Sequence, residues 1–162
     1  MNQHLKSYLI DHLAGSVMAI DLLHQLEDLG TETAFEFGRL RADIESDRDE
    51  LRVLMEKLHI EPSGLRHTTA WLTAKLAEFK LRLEDHNEGP LRLLETIEAV
   101  ALGIDGKSAL WRALEAAVEV EPELQGTDYQ YLGRRAEEQR RHAESIRLVA
   151  AKTAFGAVPT EL

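Results

Sequence analysis

At 162 residues with 44% hydrophobic composition, the chain is long enough to bury one core without staples and too regularly apolar to be disordered. A formal charge of −10 argues against a nucleic-acid-binding surface. The one arginine-rich stretch, Arg134-Arg135 to Arg140-Arg141, is interleaved with Glu137, Glu138 and Glu144 as on a solvated helix face. The lack of cysteine excludes disulfides, thiolate nucleophiles, iron–sulfur clusters and Cys-ligated zinc.

The spacing predicts a first helix over about 3–29. Leu5, Leu9, His12, Ser16, Ala19, Leu23 and Leu26 follow a 4-3-4-3 seam, widened by Leu13, Val17 and Ile20, and Gly30 ends it. A second helix over about 32–59 carries Phe37, Leu40, Ile44, Asp47, Leu51, Leu54 and Leu58 on its seam, closed by Pro62-Ser63-Gly64. A shorter helix over about 66–83 shows Leu72, Leu76, Phe79 and Leu83 on one side, before a turn at Asn87-Glu88-Gly89-Pro90. A further stretch starts at 91 with the row Leu91, Leu94, Glu98, Ala101, and Gly103-Ile104-Asp105-Gly106 reads as a kink or break. It resumes from Lys107 to about Val120 with Leu110, Trp111, Leu114 and Val118. After a loop at Pro122 and Gly126, the last helix covers about 128–155, its seam Leu132, Ala136, Gln139, Ala143, Ile146, Ala150 and Thr153.

No strand alternation is present, and long helices joined by short loops predict one all-α, up-down bundle: residues 1–162 as a single domain, core about 3–155 and tail 156–162. No run reaches the roughly 20 apolar residues of a membrane span. The amino terminus lacks a signal-peptide layout, since Asp11 and His12 interrupt its apolar run. A cytoplasmic protein with neither nucleic-acid nor membrane partners is expected.

Ionisable or amide groups in apolar phase are informative, because burial without a partner is costly. His12, Asp47 and Gln139 (with Glu138 beside it) hold such positions. Folding the first two helices back at Gly30 sets His12 opposite Arg48, within about one turn of Asp47. With Glu98 on the fourth stretch, the candidate cluster is His12, Asp47, Glu98 and Glu138 or Gln139, one group per helix. It reads either as a metal or proton-handling site, or as a buried network in which Arg48 or Arg140 balances His12 and Asp47 and fixes helix register.

The helix order and three strings give the chain a resemblance over about 5–155 to the ferritin-like superfamily, most closely to a bacterial branch of it. The strings are Tyr8 to Ser16, Leu102 to Lys107 running on to Leu114, and Ala136 to Arg140. The resemblance implies a four-helix bundle with an extra short helix between the second and third long helices and a broken third long helix. Active members hold two iron or manganese ions with a Glu from each of two helices and a Glu-x-x-His from each of the other two. Here Glu56 and His59 form the one literal match, and they lie off the seam at a helix end. Asp21 and His24 are an aspartate variant with Leu23 on the seam between them. His142 follows Gln139 at the motif spacing and Glu138 by four. The branch resembled thus lacks the intact di-iron motifs.

The expectation is a metal-free structural or binding module, leaning away from an enzyme, self-associating as a dimer, with no catalytic residue assigned. Alternatives are a divergent di-metal oxidoreductase using iron or manganese on His12, Asp47, Glu98 and Glu138, and a bundle holding a small apolar ligand in its core. Trp71 and Trp111 are expected to be core or interface aromatics.

Overall fold

Among the described residues, good helix formers at 3.6-residue apolar spacing produce four long helices: α1 (Gln3–Asp28), α2 (Ala34–Lys57), α3 (Gly89–Ala117) and α4 (Tyr129–Phe155). A 3-10 turn, Pro122–Leu124, precedes α4. The computed structural model describes residues 3–28, 30, 34–61 and 89–156. The predicted short helix over 66–83, with Trp71, lies outside the described residues.

Helix ends follow from local chemistry. Gly30 takes φ 62° and donates its N–H to Glu27 O, the left-handed stop expected after α1. The end of α2 is less conventional. Ile60 N–H bonds to Met55 O and His59 N–H to Glu56 O, a Schellman arrangement with His59 at φ 53° where glycine is usual. Ile60 and Met55 then close the motif inside the apolar core. Asp128 caps α4, its Oδ1 accepting from Tyr131 N–H at 2.9 Å.

Cross-helix pairs set the directions. The start of α2 lies beside the middle of α4 (Glu36 with His142), while Lys57 donates to Gln125 O just before α4 begins. Glu98 pairs with Arg147 and Glu115 with Gln130, so α4 runs antiparallel to α3 as well. Arg41 at 2.5 Å from Glu27 ties the α1–α2 hairpin. Two antiparallel hairpins therefore stack with α2 and α3 pointing the same way. α2 finishes and α3 starts at opposite ends of the bundle. This corrects the strict up-down alternation expected from short loops.

α3 also runs unbroken from Gly89 to Ala117, through Gly103 and Gly106. Neither glycine has a positive φ, so the backbone there is ordinary helix, and the expected break is absent. Glycine in a helix interior is about 0.5–1 kcal/mol less favourable than alanine, a cost that tertiary packing overrides here.

The core is divided. One apolar cluster gathers Leu23, Leu26, Phe37, Leu40, Ile97, Val100 and Ala143, and the other gathers Leu9, Leu13, Leu54, Leu110, Trp111, Leu114 and Leu132. Between them, Asp47 on α2 and Gln139 on α4 are buried at the same level as Lys107 on α3. No helix of the described residues is long and apolar enough to cross a membrane.

Candidate functional site

The waist of the bundle is built on three helices. Asp47 stands between Ile44 and Leu51 on the α2 seam and is 1% exposed. Its Oδ2 accepts from Lys107 Nζ at 2.5 Å and from Gln139 Nε2 at 2.8 Å. Lys107 also donates to Gln139 Oε1, so carboxylate, ammonium and amide close a ring of hydrogen bonds. Arg135 Nη2 stands 3.1 Å from Asp47 Oδ1 without the alignment of a hydrogen bond, and that oxygen accepts none. Arg135 is held from behind by the Tyr131 ring, 5.6 Å from its guanidinium carbon. Burial pushes the Lys107 ammonium below the usual lysine range and outweighs the opposing pull of Asp47.

The fourth helix contributes space instead of a side chain. At this level α1 carries Gly15 and Ser16, and Ser16 Oγ turns back to donate to Leu13 O at 2.6 Å. A Cβ built at Gly15, Gly103 or Gly106 would meet nothing within 4 Å. The result is a cleft of about 170 Å³ between α1, α2 and α3. Ala19, Ile44, Leu51, Ile104, Leu110 and Trp111 supply its apolar walls, Asp47 and Lys107 its polar floor, and His12 with Arg48 part of its rim. His12 sits edge-on to Tyr8, ring centroids 4.6 Å apart, and burial lowers its pKa against the smaller opposing effect of Asp11.

Of the four candidate ligands, two reach this site. His12 and Asp47 line the same cleft, as the hairpin geometry predicts, but Asp47 bonds to Lys107 and Gln139. Glu98 lies off the seam, which passes through Ile97 and Val100; it is half exposed and paired with Arg147 at 3.2 Å. Nine residues from Lys107, it sits about 14 Å along the α3 axis from the waist. Glu138 is exposed, on a polar surface pocket with Arg39, Asp43, Arg135 and His142. Among the described residues no three His, Asp or Glu side chains come together as a metal would need. Balancing charge comes from Lys107 and Arg135, whereas Arg48 pairs with Asp49, and Arg140 with Asp105 and Glu144. Glu56 and His59 are both exposed at the end of α2.

Lys107 is the site residue that sequence reading missed, yet its signal was present. Val100, Ile104, Lys107, Trp111 and Leu114 form a 4-3-4-3 seam once α3 is taken as unbroken.

On the outer face, Arg147 holds Glu144 at 2.7 Å and Arg140 holds it at 3.2 Å. These contacts bring the Glu144 pKa down to about 2, Arg147 acting most strongly. Arg140 and Arg147 continue to Asp105 and Glu98, which ties α3 to α4.

Comparison of the chain with protein-family models, with curated proteins and with solved structures finds no match.

Proposed function

We propose that this chain is a metal-free bundle of ferritin-like ancestry that works as a binding module, holding one small, mostly apolar molecule in the cleft above Asp47 and Lys107. The observation that carries the reading is the waist, where three helices supply a closed polar ring and α1 supplies a gap walled by glycines. An apolar cavity of ~150 Å³ takes a benzene-sized molecule, and the cleft is of that order. Each helical glycine opposes folding, so the space has a cost that a ligand would offset. Parallel α2 and α3 support the ancestry, because ferritin-like bundles have one long crossover where up-down bundles have none. The metal-free part is supported by the charges around Asp47. An ammonium and a guanidinium already balance the one buried carboxylate among the described residues and would repel a dication.

Self-association as a dimer belongs to the same reading. Leu148 and Phe155, two turns apart on α4, are exposed, as is Leu102 on α3. Sedimentation velocity is expected to give a dimer, and a strict monomer removes that part.

Native mass spectrometry of the full chain, purified without chelators, tests the reading as a whole. One molecule of toluene per chain is expected to bind and to raise the unfolding temperature, with no rise on adding Fe(II) or Mn(II). Stoichiometric iron or manganese in the purified protein would favour the di-metal oxidoreductase instead. Absence of any complex at saturating toluene would end the binding reading.

A further inference from the structure

The donors and acceptors of the residues that line the cleft are unequal. Trp111 forms part of its wall and is 1% exposed, and its buried indole N–H meets no acceptor among the described residues. Such an orphan donor is normally satisfied by something. An ammonium has three N–H groups, and Lys107 directs two of them to Asp47 and Gln139, which leaves one. Each Asp47 oxygen already has a cation beside it. Asp47 Oδ2 already takes two hydrogen bonds, and Oδ1 stands 3.1 Å from Arg135 Nη2. Whatever enters must bring an acceptor.

Charge points the same way. Asp47 faces both Lys107 and Arg135, and Arg48 stands on the rim. Of the other acids, Asp11 is exposed on the rim, while Asp43, whose charge also reaches Lys107, shares the outer pocket with Glu138 and Arg135. The space itself, at about 170 Å³, limits the rest of the molecule to one ring or a short chain.

We infer that the occupant of the cleft is a small carboxylic acid, bound as its anion, with its oxygens on Lys107 and Trp111 and its apolar body against Ile44, Leu51 and Ile104. This rests on the binding reading above and names the class of ligand. It requires no chemistry on the ligand, only charge-assisted hydrogen bonds in a mostly apolar cleft.

Isothermal titration calorimetry on the full chain separates the possibilities, using benzoate, benzamide and toluene as probes of one size. Benzoate is expected to bind at least roughly tenfold tighter than toluene, as hydrogen bonds to a charged group predict. Lys107→Met should bring benzoate down to the level at which the same variant binds toluene, and Trp111→Phe should weaken benzoate more than it weakens toluene. Should Trp111→Phe fail to fold, the Lys107→Met comparison decides alone. Toluene binding as well as benzoate overturns the carboxylate but leaves the binding reading standing. Equal binding of benzamide overturns the requirement for an anion. No binding by any of the three overturns both.

Discussion

Removing Asp47 is expected to cost more stability than removing Lys107, although the two form one ion pair. Asp47→Asn leaves the Lys107 ammonium and the Arg135 guanidinium facing each other across the waist without a carboxylate between them. Breaking a buried pair so that charge is left uncompensated costs about 3–5 kcal/mol. Lys107→Met is milder. Asp47 keeps Arg135 at 3.1 Å and the Gln139 amide at 2.8 Å, and the loss is two hydrogen bonds, about 1–3 kcal/mol in all, partly offset by the buried thioether. Because burial holds the folded-state pKa of Lys107 below 10.5, the unfolded chain binds the extra proton between those two values, and stability there rises with pH. In Asp47→Asn the opposing pull of the carboxylate is gone, so this rise should begin at lower pH than in the wild type. Urea unfolding followed by far-UV circular dichroism, at neutral and alkaline pH, measures both effects. Equal losses for the two variants, or a larger loss for Lys107→Met, would refute the claim that Asp47 is shared by two cations.

Further outcomes follow from single side chains. Gly106→Ala is expected to stabilise the fold by about 0.5–1 kcal/mol and to weaken toluene binding, whereas Gly133→Ala should stabilise equally and leave binding alone. A loss of stability in Gly106→Ala would mean that the cleft wall is packed in solution. His59→Gly should relieve a left-handed conformation costing a β-carbon residue about 1 kcal/mol, read as a higher urea midpoint. His12 titrates below 6.5 when folded, so the unfolded chain takes up its proton first and stability falls as pH drops through 6.5 towards the folded value. His12→Gln should flatten that part of the curve, and an unchanged slope would place its ring in solvent.

Much of this architecture was legible without coordinates. The α2 seam from Phe37 to Leu58 and the α4 seam from Leu132 to Ala150 are buried as their spacing predicts, because an amphipathic helix has one face that water can be excluded from. Gly30 and Asp128 mark helix ends because each satisfies backbone groups locally. Asp47 and Gln139 were identifiable as buried polar groups from phase alone. Thr153, in phase with the α4 seam, is exposed at its last turn, where the core has run out.

What tertiary structure alone decided concerns partners and directions. Local propensity at Gly103 and Gly106 argues for a break, and resetting the helical phase there hides Lys107, which shares a seam with Val100 and Trp111. Only packing against α1 and α4 keeps that helix continuous. Glu98 and Glu138 were plausible ligands because spacing gives the face of a helix to within about one residue in four, or 100°. One residue of phase carries each of them out of the core and onto an arginine or into solvent. The shared direction of α2 and α3 has no trace in periodicity, which is the same read from either end. Sequence thus named the carboxylate and the amide at the waist; the ammonium between them, and the gap that α1 leaves beside it, exist only once four helices meet.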